Sequence, residues 1–263
     1  MSAEAEPASD TEVAVRVSGL SKTFGGAGGV RALEGVTFDV VRGELVALLG
    51  PSGCGKSTLL RIVAGLLPSD PGGLIEVLGR PQTEPRPDVS VVFQTDNLLP
   101  WLTVEGNIGL AAEIQRVGAA EIRQRVDAIL PTLGLAGFRR SYPYQLSGGM
   151  RQRAALGQAL ILRPQVLLLD EPFGALDALT RDQLNVELLR IWQEIQKTVL
   201  LVTHSIPEAV FLGDRVLVMS GRPGRVMKDI RIELPRPRDP RTTKALPEFA
   251  RYILHLNQLI GVA

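Results

Sequence analysis

Two stretches of this chain place glycines, hydroxyls and a cation at spacings that suit phosphate chemistry. The first is Gly50-Pro51-Ser52-Gly53-Cys54-Gly55-Lys56-Ser57, with Thr58 next. Glycines let a backbone curl so that successive N–H groups point at phosphate oxygens. A helix that starts there adds the positive end of its dipole. Lys56 supplies a cation for β- and γ-phosphates, and Ser57 a hydroxyl for magnesium. The apolar run 44–49 before the loop and the helical run 58–66 after it are the context such a loop needs. Magnesium also needs an acid. The run 166–169 ends at Asp170, with Glu171 beside it. Asp170 is placed to hold magnesium through water, and Glu171 to orient or deprotonate an attacking water.

The second stretch is Ser147-Gly148-Gly149, about ninety residues further on. Ser147 is suited to N-cap a helix running to about Leu162. Gly148 and Gly149 leave its first turn bare, so a phosphate can approach the backbone closely. One nucleotide rarely needs two helix N-termini so far apart in sequence. Two chains packed head to tail would use both.

The elements that must carry these groups show in the periodicity. Val13, Val15 and Val17 alternate, as do Val36, Phe38 and Val40, which predicts half-buried antiparallel strands. The runs 44–49, 166–169 and 198–203 are apolar throughout, as strands buried on both faces of a parallel sheet are. Helical faces lie between them: Ile122, Val126, Ile129, Leu130 and Leu133, then Leu184, Leu188, Ile191 and Ile195. The result is an α/β chain. Residues 96–163 read as a helical insert without a strand, and 216–219 and 226–232 as short strands. Proline and arginine break 234–240, and a last helix carries Phe249, Ile253, Leu256 and Ile260 on one face.

Composition excludes some functions. With 29 basic and 28 acidic residues in 263, there is no basic excess for nucleic acid. One cysteine, Cys54, allows no intrachain disulfide. Residues 1–12 read as a disordered tail, being acidic and rich in Ala, Ser and Pro. The apolar runs fall short of the roughly 20 residues that a membrane-crossing helix takes. Work at a membrane would need another chain.

From about residue 13 to 234 the sequence resembles the ATP-binding cassette family, with the motifs in the family's order. The resemblance implies a P-loop (RecA-like) core, 13–95 and 164–234, with a mixed, mainly parallel sheet and an antiparallel β subdomain. It implies a helical subdomain, 96–163, followed by a proline-rich linker and C-terminal helix, 235–263. Residues 147–152, Gln152 included, match the family's signature motif. Asp170 and Glu171 match its magnesium acid and catalytic base. Asp177, in Ala175-Leu176-Asp177, matches the D-loop, and His204 the switch histidine at the γ-phosphate. Gln94, after Val92-Phe93, matches the glutamine that links magnesium to the membrane partner. Phe24 stands where the family stacks an aromatic ring on adenine, usually tyrosine. Cys54 reads as a small residue without chemistry of its own, whose bulky alkylation would block the loop.

Asn97-Leu98-Leu99-Pro100-Trp101, residues 203–212, Asp214-Arg215-Val216 and residues 221–225 resemble cassettes of nitrate, sulfonate and taurine importers, a style shared by importers of thiamine-precursor pyrimidines. The expected partners are a second cassette, a homodimer by this reading, membrane permease subunits and, indirectly, a solute-binding protein. ATP and Mg2+ are the expected ligands. The expected location is peripheral, at the cytoplasmic face of the membrane. Residues 98–101 would face the permease. An exporter cassette, or a non-transport ATPase of the family, remains the alternative. The solute is not encoded in the chain.

Overall fold

The computed structural model describes residues 13–25, 28–174 and 178–261. The tail 1–12 and the Ala175-Leu176-Asp177 motif fall outside them. The chain opens with β1 (Val13–Phe24) and β2 (Val30–Val41), paired antiparallel. Val15, Val17, Val36, Phe38 and Val40 are buried, as their alternation predicts. β3 (Leu45–Leu49) leads through the glycine loop to α1 (Lys56–Val63). β4 (Leu74–Val77) pairs with the other edge of β1, β5 (Arg80–Pro81) pairs with β4, and β6 (Val89–Val92) follows.

The described elements between β6 and the next strand are helical: α2 (Val104–Ile114), α3 (Ala119–Thr132), two single 3-10 turns and α4 (Gly148–Leu160). Then come β7 (Val166–Asp170), α5 (Ala178–Ile195), β8 (Thr198–Thr203), α6 (Ile206–Leu212), β9 (Arg215–Met219) and β10 (Val226–Arg231). α7 (Pro240–Thr243) and α8 (Pro247–Ile260) end the chain.

The strands form two sheets. An antiparallel one has the order β2-β1-β4-β5, and a larger one β10-β9-β3-β8-β7-β6. In the larger sheet β9, β3, β8, β7 and β6 run parallel, and β10 is antiparallel at one edge. Its unbroken apolar runs have a simple cause: both faces are covered. Leu45, Ala47 and Leu49 pack toward the helices α2–α6 and α8. Val46 and Leu48 pack toward α1 and the antiparallel sheet. Leu167 and Leu169 alternate with Val166 and Leu168 in the same way.

Some elements differ from the sequence-based expectation. α1 begins at Lys56 and ends at Val63, not 58–66. Gly55 at φ 105° turns the chain directly into the helix, two residues earlier than its apolar periodicity begins. β4, β5 and β6 were not expected, being two to four residues long. Nor was α6, whose seven residues span too little for a period to show.

The proline-arginine stretch does more than break the chain. Arg238 is buried and donates to the carbonyls of Val210, Phe211 and Gly213, at the C-terminal end of α6. α8 packs on α6, with Phe249 and Leu256 buried. No described helix is long and apolar enough to cross a membrane.

Candidate nucleotide site

Strand order and register assemble the site. β3, β8, β7 and β6 are neighbours, parallel, and end at one edge of the sheet. Leu49 pairs with Thr203, Asp170 with Val202, and Val92 with Leu169. Gly50, His204, Glu171 and Gln94 therefore follow the ends of four adjacent strands, about 5 Å apart from one strand to the next. Ligands of open α/β sheets bind at this carboxyl edge.

The loop after β3 is built for close approach. Gly53 and Gly55 have φ of 75° and 105°, in the left-handed region that favours glycine. A Cβ on Gly55 would also lie 2.8 Å from the Ala32 carbonyl oxygen. Lys56 is buried, and its Nζ donates to the Gly50 and Pro51 carbonyls at 2.8 and 3.0 Å. The ammonium is thus held across the mouth of the loop. Ser57 donates its hydroxyl to Asp170 Oδ1 at 2.8 Å. Burial pushes the Asp170 carboxyl up, and the Ser57 hydrogen bond works against that shift.

Glu171 takes a left-handed φ of 46°, which a non-glycine residue adopts at a cost. Its N–H donates to the Val202 carbonyl at 3.0 Å, fixing the turn against β8. His204 Nδ1 lies 3.0 Å from Glu171 Oε2, and the imidazole is half-exposed. Glu171 opens onto a cavity of about 580 Å3 lined also by Phe24, Val30, Ala32, Ser52, Gly53, Gly55, Lys56, Ser57, Thr58, Gln94 and Arg222; His204 and Asp170 reach it through Glu171 and Ser57. Phe24 is 42% exposed there, with the Lys22 ammonium 5.4 Å from its ring centroid. A cleft of similar size between α2 and α3, about 530 Å3, is lined by Glu105, Glu113, Arg123 and Arg139 and lies away from this sheet edge.

The second glycine stretch stands elsewhere. Ser147 N-caps α4, its Oγ accepting from the Met150 N–H at 3.3 Å. Ser147, Gly148, Gly149 and Gln152 are not among the residues that line the cavity. Gln152 is buried, beside Phe173, Leu184 and Leu188. Arg151 donates to Asp96 Oδ2 at 2.9 Å, which ties this turn to the loop after Gln94.

A family model described as ABC transporter matches residues 33–174. The chain belongs to the ABC transporter family. It is 47% identical to the taurine import ATP-binding protein of Rhizobium johnstonii over 237 residues, covering 86% of this chain and 90% of that one. It is also 47% identical to the nitrate import ATP-binding protein of Synechococcus elongatus over 223 residues, covering 84% and 80%. Among solved structures, a dimeric ATP-binding cassette in a post-hydrolysis state, bound to ADP and Pi, superposes with a TM-score of 0.71. The identity is 31%, and the match covers 83% of this chain and 98% of that one.

One feature of the cassette escaped sequence reasoning. The hairpin joining β9 and β10 folds onto the phosphate loop. Arg222 donates to the Gly53 carbonyl at 3.1 Å, and Gly224 packs so tightly that a Cβ there would lie 2.1 Å from the Cys54 carbonyl oxygen. The only signal was the resemblance of residues 221–225 to importer cassettes, which gave no role. Cys54 is 1% exposed beneath the loop, and burial pushes its thiol up. A thiolate is the reactive form of cysteine, so burial and the upward shift both work against alkylation of Cys54 in the folded loop.

Proposed function

We propose that this cassette is the ATP-hydrolysing subunit of a complex that imports a small solute through separate membrane permease subunits. The supporting observation is the convergence of Lys56, Asp170, Glu171, His204 and Gln94 on one sheet edge, around a cavity with an aromatic ring at its rim. Import is supported by relatives named for import, at 47% identity over most of the chain; the exporter reading has no comparable support.

Each group has a role in this reading. Phe24 stacks on the adenine. The backbone from Gly50, Pro51, Ser52, Gly53, Cys54 and Gly55 to Lys56, Ser57 and Thr58 wraps the phosphates, and Lys56 turns from its two carbonyls to the β- and γ-phosphates. Ser57 and Asp170 are oxygen donors already in contact, and Gln94 adds an amide oxygen. A set this small fits Mg2+, which keeps waters and takes its other ligands from phosphate. When bound, magnesium neutralises charge developing on the phosphates. Glu171 orients and deprotonates the attacking water, while His204 holds Glu171 and contacts the γ-phosphate. Ser147, Gly148, Gly149 and Gln152, with Asp177, serve the nucleotide of a second cassette in a head-to-tail dimer. Binding energy closes that dimer, and product release reopens it.

The membrane partners dock near the loop after Gln94. Trp101 is 69% exposed, and Tyr144 76%. The Val104 N–H donates to the Ser141 carbonyl at 2.8 Å, which holds the two loops side by side. Exposed aromatics of this kind are typical anchors of an interface. The cassette then sits at the cytoplasmic face of the membrane, and a solute-binding protein works on the far side. Taurine and nitrate relatives are equally similar to this chain, so the solute's chemistry resides in the other subunits.

The test is capture of the full-length chain from detergent-solubilised native membranes, with mass spectrometry of what accompanies it. A multi-span permease and a solute-binding protein are expected, with Trp101→Ala recovering less permease at unchanged nucleotide binding. Recovery of ribosomes or DNA-repair factors without a permease would overturn the transport reading.

A further inference from the structure

We infer that Glu208 is a positioning residue for His204: its buried carboxyl fixes the two-residue turn that presents the imidazole to Glu171. The inference rests on the ATPase reading above. β8 ends at Thr203 and α6 begins at Ile206, so His204 and Ser205 alone join them. The direction of the imidazole therefore depends on how this short turn is held.

Three hydrogen bonds hold it. The Thr203 hydroxyl donates to Glu208 Oε2. The same hydroxyl oxygen accepts from the Ser205 N–H at 3.0 Å. Ser205 Oγ accepts from the Glu208 N–H at 3.4 Å, as the N-cap of α6. The residues before and after His204 are thus both tied to Glu208. Serine at the N-cap and glutamate three residues on would ordinarily form a capping box, with the carboxylate reaching the N-cap N–H itself. Here the Thr203 hydroxyl stands between them. The box is enlarged by one side chain, and that side chain belongs to the last residue of β8. The effect is to lock strand, histidine and helix into one unit.

Helix capping alone does not account for this arrangement. A capping glutamate works as well at the surface, whereas Glu208 is 6% exposed, and burying a carboxyl carries a desolvation cost. The charged groups around it are Arg181 of α5, Glu171 after β7 and His204 itself. Burial pushes the carboxyl up, while the Thr203 hydrogen bond and the positive fields of Arg181 and His204 oppose that shift. Glu208 is buried, does not line the nucleotide cavity, and bonds to Thr203 and Ser205 on either side of His204, so it acts through the turn that carries the histidine and not on the substrate.

The experiment measures ATPase kcat and KM, and equilibrium binding of a fluorescent ATP analogue, on the full-length chain. Glu208→Ala is expected to lower kcat about tenfold, well within what misplacement of a reacting group costs, with KM and binding within about twofold. Glu208→Gln, which keeps an acceptor for Thr203, restores most of the loss. Thr203→Val reproduces the loss and Thr203→Ser restores it. In a His204→Ala background, Glu208→Ala costs nothing further, as expected for residues acting in series. Wild-type kcat in Glu208→Ala, or an equal further loss in the His204→Ala background, overturns the inference. If Glu208→Ala does not fold, the Thr203 pair decides, and wild-type kcat in Thr203→Val is then the refuting result. Absence of ATPase activity in the unmutated chain would instead refute the ATPase reading, so the two failures are distinct.

Discussion

Two helix N-termini in this molecule carry glycines, and they are used differently. At α1 the N-cap is Gly55, which has no side chain to cap the helix, so no N-cap side chain stands between the helix N-terminus and the loop. At α4 the N-cap is Ser147, whose hydroxyl already takes the Met150 N–H. Lys56 opens α1 itself, and Asp170, Glu171 and His204 are delivered beside it by the neighbouring strands β7 and β8. Around α4 the polar contact is Arg151 with Asp96, an internal brace. In the function proposed above, the same local motif becomes a catalytic cleft where a sheet edge brings acids and bases to it, and an anion site for a phosphate held by another molecule where no sheet edge does.

The sharpest way to break this contrast is at the group that separates chemistry from binding. Glu171→Gln removes a base and keeps the shape. Turnover should fall by about 10²-fold or more, the range of general base catalysis, while ATP affinity stays near wild type and an ATP-bound dimer accumulates in gel filtration. Wild-type turnover would remove Glu171 from its role and leave the α1 site a binding site only. A second test asks whether the two N-termini serve one site in different chains. Lys56→Ala disables the α1 site and Ser147→Arg obstructs the α4 turn; each alone should lose at least about tenfold in turnover, the scale of lost phosphate and transition-state contacts. Mixed in equal amounts, the two variants should regain activity. A head-to-tail pair made of one of each holds one site with both halves intact. No regain on mixing would place both turns in separate functions.

The sequence announced the α1 site because every element of it is local. Glycine spacing, Lys56, Ser57 and the flanking apolar strand all lie within 44–57. Asp170 and Glu171 were legible for the same reason, at the end of one apolar run. What brings them to Ser57 is the parallel order β3-β8-β7, which no local pattern states. The parallel strands β3, β7 and β8 showed as unbroken apolar runs because both faces are covered. β6 is four residues with Ser90 among its valines, and it stayed hidden although it carries Gln94 to the site. Gln152 is an expected nucleotide contact of the signature motif, and in this chain its side chain is buried beside Phe173 and Leu184; helical phase and tertiary packing set that burial, and spacing within a motif does not. Arg222 was invisible because it reaches Gly53 across 169 positions of sequence.

Arg222 also gives the mildest test of the contrast, since it braces the α1 loop from outside it. Its guanidinium lines the cavity and donates to the Gly53 carbonyl from both Nε and Nη2, at 3.3 and 3.1 Å. A hydrogen bond from a charged donor at an exposed position is worth about 1 kcal/mol. Arg222→Ala should therefore raise the KM for ATP about fivefold, with kcat little changed, because the residue touches the loop's backbone and none of Asp170, Glu171 or His204. Arg222→Lys should recover part of the loss, since one donor can still reach the carbonyl but the paired geometry is gone. The corresponding brace at α4, Arg151 to Asp96, should leave KM alone when cut by Arg151→Met and lower kcat instead, as it holds the half of the site that binds another chain's nucleotide. Equal effects of the two substitutions on KM would mean that both turns meet the same ATP within one chain.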